Sequence, residues 1–319
     1  MEIQNNDKYP QVLKDWAIRL EGNRKQPTTI ESYVKWTAFY LRFMKWTKYR
    51  SNKLTPEEVD ISKLSNQLFK KIEVSDVEKY KLYLVKNQKN TGTSINAKLG
   101  SLETFYYYLK TEKLIDENIL LVVKKVEQDV KQKKPISLEN ARALLKAIIA
   151  KNDRFSIRDY TIVDIMVDIG FRKSEVCNLT MSQIIDMKKV RFFGKGNVER
   201  EIQFNDDTIP VLEKYLMYRK TFMESHGYVS DYVFLNASGN KIKELGTILK
   251  KYTDIIDLKG CTCHTLRRTS ATLRHKYGKV DIKSLQKMLG HASILTTQRY
   301  VELDDEEMKI VANSLPKLF

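Results

Sequence analysis

Three cysteines in 319 residues are too few for a disulfide framework. Cys261-Thr-Cys263 lacks zinc-ligand spacing, and no second cysteine pair exists to complete a site. All three cysteines read as reduced thiols, which places the chain in the cytoplasm. No apolar run approaches the ~20 residues of a membrane span. The polar start, Met1 to Asp7, is not a signal peptide. Internal repeats and low-complexity tracts are also missing. Histidine is scarce, with four in the chain. No compact carboxylate or histidine ligand set stands out, which argues against a metal nuclease, and neither a metal nor any other cofactor is expected.

Basic charge is abundant. Lys and Arg number 56 against 40 Asp and Glu, a net +16. Residues 1–136 carry +9 and residues 137–319 carry +7, so the excess is spread over both halves. A two-part clamp around a duplex requires that spread, and each phosphate neutralised would steepen the salt dependence of binding by about 0.9 in log–log slope. A solvated lysine-rich surface has the same composition, so charge alone does not decide the partner.

The length suits two domains. The fold class expected is mainly α with a small β component. Residues 1–126 read as helical, 127–136 as a polar linker (Glu127 to Pro135), and 137–319 as mixed α+β. In the first region Tyr33, Trp36, Phe39, Tyr40, Phe43 and Met44 recur at helical spacing, as do Ile95, Leu99, Leu102, Phe105, Tyr106 and Leu109. Stretches starting near Trp16 and Val77 make two more helices. In the second region, Ser137 is an N-cap for a helix over Leu138 to Lys151. Thr208 to Phe222 reads as a helix, and Tyr232 to Leu235 as a short strand.

Five segments of the second region carry chemistry. An apolar helix (Ile162 to Ile169) runs into Gly170, and a second begins near Lys173. Arg172 therefore lies at a helix junction, where its planar fork can reach a phosphate, with Glu175 three residues on to hold it. Lys188–Phe193 and Glu199–Phe204 flank Gly194-Lys195-Gly196-Asn197, a β-hairpin with Lys195 at its tip. His264-Thr-Leu-Arg267 places a histidine and a guanidinium three apart on one helix face. Leu289-Gly290-His291 ends a helix capped at Asp281. Thr296-Thr297-Gln298-Arg299-Tyr300 then offers a phenol. His226 and His275 fit no pattern and read as surface residues. Taken singly, each segment has a plainer reading, as surface ion pair, solvated lysine or packing tyrosine. Their order is what adds information.

That order resembles the tyrosine recombinase family, which includes phage integrases and the Cre-like and Xer-like recombinases. One departure is Arg268, where many relatives carry a second histidine. The resemblance implies catalytic roles for Arg172, Lys195, His264, Arg267, His291 and Tyr300, with Glu175 orienting the first arginine. It implies a 3′-phosphotyrosyl intermediate, resealing without ATP or metal, and a homotetramer on two duplexes exchanging strands through a Holliday junction, with accessory proteins in some systems. It also implies a core-binding domain in residues 1–126. Thr28, Thr29, Ser32, Thr91, Thr93, Ser94, Asn96 and Lys98 resemble its DNA-facing positions, while Arg274, near the His264–Arg267 segment, reads equally as a DNA-backbone contact or as surface charge. The chain starts too close to this domain for an additional arm-binding domain. The segment after Tyr300, acidic at Asp304 to Glu307 and then apolar, would dock on a neighbouring protomer or on its own domain. A type IB topoisomerase and a non-catalytic DNA-binding protein of the same fold are the alternatives. Retention of all six catalytic residues argues against a pure binder, and the core-binding domain and short chain argue against the topoisomerase. Integration, excision and resolution remain open, as does the target site.

Overall fold

The structure is a computed structural model that describes residues 3–49, 55–127, 134–193, 199–291, 293–298 and 300. The chain forms two compact units, residues 1–131 and 132–319. Among the described residues no helix is long and apolar enough to cross a membrane.

The first unit contains α1 (Gln11–Gly22), α2 (Pro27–Lys48), α3 (Gln67–Lys71), α4 (Val74–Lys86) and α5 (Gly92–Thr111). Pro27 at the first position of α2 has the φ a helix start needs. Thr91 caps α5 by accepting from the Ser94 N–H. The apolar stripes meet in an aromatic core. Trp16, Tyr40, Tyr80, Phe105 and Tyr106 are fully buried, and the Tyr40 and Tyr106 hydroxyls bond each other at 2.7 Å. Of the six aromatic and apolar residues that marked α2, Tyr40, Phe43 and Met44 are buried, while Tyr33 and Phe39 pack at the margin.

The second unit contains α6 (Leu138–Lys151), α7 (Ser156–Asp168), α8 (Lys173–Asn178), β1 (Ile184–Ile185), β2 (Lys189–Phe193), β3 (Glu199–Gln203), α9 (Thr208–His226), α10 (Leu245–Ile255), α11 (Cys263–Lys276), α12 (Ile282–Leu289) and α13 (Ile294–Gln298). Helix α7 is central: α6, α9 and α11 all pack on it. Its buried face, Ile162, Val163, Ile165 and Met166, explains the apolar run. Strands β1, β2 and β3 form one antiparallel sheet in that order, with Phe192 opposite Arg200. The hairpin expected around Lys195 is there as β2 and β3, whereas Lys195 itself and residues 128–133 of the linker lie outside the described residues, as does the segment after Tyr300.

Three expectations are corrected. Tyr232 to Leu235 is not a strand; it makes isolated bridges, Thr180 with Tyr232 and Leu235 with Lys241. Side chains take three of its four carbonyls, and Phe234 O accepts the Ile242 N–H. Arg219 donates to Tyr232 O, the Tyr215 hydroxyl to Val233 O, and Arg158 to Leu235 O. Helix α9 runs past Phe222 to His226 and stops at Gly227, whose φ of 66° is left-handed. His275 is half-buried, with Nδ1 2.9 Å from Val280 O. Helix α10 and strand β1 were not anticipated.

Candidate active site

The C-terminus of α12 is the hub. Gly290 adopts φ 64°, which ends the helix and leaves the Leu289 and Gly290 carbonyls directed outward without helical partners. Three guanidiniums converge on these two oxygens. Arg267 donates to Leu289 O at 2.6 Å, Arg172 donates to Gly290 O at 2.8 Å, and Arg200 also donates to Leu289 O. Partial negative charge at a helix C-terminus suits such cations.

Each arginine is brought there by local structure. Arg172 is the N-cap residue of α8, just beyond the turn at Gly170 (φ 73°). A Cβ at Gly170 would press on Leu289 and Ser270, so glycine is required both for the turn and for the approach of α12. Arg267 projects from the first turns of α11, one helical turn from His264, and is 3% exposed. Its Nη1 donates to Gly170 O at 2.6 Å, so the clamp also ties the α7–α8 turn to α11. Arg200 reaches inward from β3, where exposure alternates and Arg200 and Ile202 face the interior.

One carboxylate serves all three. Glu175 lies 2.7 Å from Arg172 and 2.7 Å from Arg200, with Arg267 at 3.9 Å. It also accepts the Arg172 backbone N–H at 2.8 Å, closing a capping box. Three cations against one anion leave the cluster about +2, an environment built for an anion. Burial, then the Arg172 charge, pulls Arg267 down to about 10, so it keeps its proton at neutral pH. Burial likewise lowers Arg200.

Around this cluster stand two histidines and the phenol. His291 is pulled down to about 4 by burial and then by Arg267, Arg172 and Arg200, so its imidazole is neutral. Its Nδ1 is 2.9 Å from the Thr297 hydroxyl. Tyr300 follows α13, is 7% exposed, and has its hydroxyl 3.3 Å from His264 Nε2. The Thr272 hydroxyl fixes the Tyr300 carbonyl at 2.7 Å, and Arg268 lies 5.7 Å from the centre of the Tyr300 ring. The His264 and His291 rings meet the Tyr300 ring edge-on, with centroids 5.6 Å and 5.1 Å away.

The fold thus brings together Arg172, Glu175, His264, Arg267, His291 and Tyr300, and Lys195 lies outside the described residues. Sequence reasoning passed over Arg200, and it noted Arg268 and Thr297 without giving them a role. The available signal for Arg200 was an arginine at an inward position of an alternating strand. Arg274 is not part of the cluster: it is bound to the carbonyl and carboxylate of Asp168 at 3.0 and 2.6 Å. In the first unit, Thr28, Thr91 and Thr93 are exposed, and Thr29 and Ser32 are half-buried. Ser32 donates to Thr28 O, and Ser94 and Lys98 both reach Asn90 Oδ1. The Asn96 amide is engaged with Val126 through both its oxygen and its nitrogen. Cys177, Cys261 and Cys263 are free, and burial pushes each thiol up. Among the described residues no group of three or more His, Cys, Asp or Glu side chains could hold a metal ion.

Comparison with known proteins bears on what this cluster does. The phage integrase family model matches residues 134–307. Tyrosine recombinase XerC of Caldanaerobacter subterraneus subsp. tengcongensis is 30% identical over 318 residues, covering 97% of this chain and 88% of that protein. Tyrosine recombinase XerD of Oceanobacillus iheyensis is 29% identical over 285 residues, 88% of this chain and 89% of that protein. The fold is shared with XerH site-specific recombinase bound to a palindromic difH substrate (TM-score 0.68, 17% identity, covering 89% of this chain and 79% of that one). A lambda integrase dimer bound to a COC′ core site shares it too (TM-score 0.65, 15% identity, covering 97% and 79%). By these matches the chain belongs to the phage integrase family and is a tyrosine site-specific recombinase.

Proposed function

We propose that the protein cuts and rejoins double-stranded DNA at a specific recombination site through a 3′-phosphotyrosyl intermediate. The observation that carries this reading is the Tyr300 hydroxyl 3.3 Å from His264 Nε2, beside three guanidiniums that converge with a surplus of positive charge. The scissile phosphate occupies the mouth of the cluster, near the start of α11, where backbone N–H groups favour an anion. Tyr300 Oη attacks phosphorus while His264 takes or orients the phenolic proton. Charge builds on the non-bridging oxygens, and Arg172 and Arg267 neutralise it. A Thr297 hydroxyl donating to His291 Nδ1 leaves the Nε2 hydrogen for the same phosphate. The P–O5′ bond breaks, its electron pair goes to O5′, and Lys195 supplies the proton. Rejoining reverses these steps, with the bond energy held in the phosphotyrosine. The +16 charge supports a DNA partner. Residues 1–126 are read as the core-binding domain, residues 127–136 as the linker and residues 137–319 as the catalytic domain, a reading supported by the division of the chain into compact units at residues 131 and 132. Four protomers on two duplexes exchange strands in pairs through a Holliday junction.

Covalent trapping tests this. Nicked duplexes tiled across the DNA flanking the gene are incubated with wild type and Tyr300→Phe, and adducts are resolved in SDS. A Tyr300-dependent adduct at one 3′-phosphate is expected. Adducts scattered without sequence preference would contradict site specificity and favour relaxation of supercoils. Tight binding with no adduct would contradict the chemistry.

A further inference from the structure

Helix α11 serves two ends from neighbouring faces. Arg267 turns toward the clamp, donating to Gly170 O and Leu289 O. Beside it, His264, Arg268 and Thr272 recur at every fourth position and so form one stripe along the helix. All three meet Tyr300, each at a different part of the residue. His264 Nε2 lies 3.3 Å from the hydroxyl, and the Arg268 guanidinium lies 5.7 Å from the ring centre. The Thr272 hydroxyl donates to the Tyr300 carbonyl at 2.7 Å. At about 1.5 Å per residue the stripe covers about 12 Å, enough for a tyrosine to lie along it from backbone to phenol. Ala271 and Leu289 join Tyr300 in a small apolar cluster.

Thr272 is the informative member. A threonine hydroxyl has one proton to donate, and within a helix a carbonyl one turn back can take it. Thr269 on the same helix does this, donating to Thr265 O at 2.9 Å. Thr272 instead reaches across to the backbone of the residue that carries the phenol. Arg268 is 6% exposed and lies within cation–π range of the ring, so its charge is held against Tyr300 in a site largely closed to water.

We infer that Thr272 and Arg268 are positioning residues that hold Tyr300 along α11, so that its hydroxyl stands at His264. The inference rests on the reading of Tyr300 as the nucleophile. Both side chains act through Tyr300.

Two measurements on the full chain test this, with Thr272→Val, Thr272→Ser and Arg268→Met. The first is nitration by tetranitromethane, located by peptide mass spectrometry, which reads how firmly each phenol is held without requiring catalysis. The second is single-turnover adduct formation on the duplex recovered by trapping, followed as a function of protein concentration. Tyr300 is 7% exposed and should nitrate slowly in wild type. Thr272→Val keeps the shape and loses the proton. It should nitrate Tyr300 faster and slow adduct formation at saturating protein roughly 10²-fold, the cost of about 1 Å of misplacement. The half-saturating concentration should change far less than the rate. Thr272→Ser keeps the hydroxyl and should bring both readouts back toward wild type. Arg268→Met should raise nitration and slow the adduct about fivefold, the scale of one cation–π contact. Tyr215 and Tyr252, 1% and 0% exposed in the core of the same unit, report on the fold and should stay unreactive. Valine and serine variants that behave alike, whether both normal or both defective, would overturn the inference. So would nitration of Tyr215 and Tyr252 rising together with that of Tyr300, which would mark a loosened core. A wild type with no Tyr300-dependent adduct but with the expected nitration pattern would fail the proposed function and support the placement of Tyr300 by α11.

Discussion

Replacing Glu175 with glutamine separates stability, binding and chemistry in one residue. The carboxylate lies 2.7 Å from two guanidiniums and 3.9 Å from a third. At an effective dielectric near 20, each charge pair with centres about 4 Å apart is worth about 4 kcal/mol before desolvation is subtracted. Removing one partner of such a buried group costs about 3–5 kcal/mol, because the remaining charges stay buried. The Arg172 side chain is 42% exposed, so water screens part of the loss, and we expect about 3 kcal/mol. For a unit of this size that is a fall in Tm of about 6–12 °C. The carboxamide keeps one acceptor but turns an NH2 toward donors, so Arg172 shifts and cleavage slows by about 10²-fold. DNA binding responds in the opposite sense, since an anion has left a cationic surface. Affinity should hold or rise at low salt. Sulfate should raise the Tm of Glu175→Gln more than that of wild type, because it stands in for the lost charge. Thermal melting with and without sulfate, a binding titration and single-turnover cleavage check each part. A variant that melted and cleaved like wild type would refute the idea that Glu175 balances the clamp.

Three further outcomes are expected. Thr297→Val removes the hydroxyl at His291 Nδ1, so nitrogen NMR should show the Nε2–H tautomer giving way to a mixture, with cleavage slowed about tenfold. In wild type His291 should stay neutral from pH 8 to pH 5, because its pKa is near 4 when folded. The unfolded chain then takes up that proton first, so this residue's share of stability falls as pH drops from about 6.5 toward 4. Asp164 carries a buried oxygen with no partner and is pushed up to about 6 by burial, although the Thr208 hydroxyl opposes the shift. Here the folded state holds the extra proton, so stability is lost as pH rises from about 4 to 6. Asp164→Asn should therefore stabilise the catalytic unit by about 1–2 kcal/mol at pH 8 and have no such effect at pH 4, read by melting curves at both pH values.

The local chemistry of the chain was legible without a structure. Apolar spacing located α1, α2, α4, α5 and α7, though not the short α3, because a 3.6-residue period is a property of consecutive positions. Ser137, Asp281 and Gly290 marked helix ends, because capping is satisfied within a few residues. The hairpin, the Arg172–Glu175 pair and the order of His264, Arg267, His291 and Tyr300 were visible for the same reason. Tertiary structure decided the rest. That Tyr232 to Leu235 is not a strand depends on Arg158, Tyr215 and Arg219, residues 13 to 77 positions away. That Arg200 reaches Glu175, and that Arg274 pairs with Asp168, depends on which carbonyls and carboxylates lie within about 3 Å of each fork after packing. An arginine in a sequence is a charge on a flexible stem, and only the folded chain determines which acceptors it can reach.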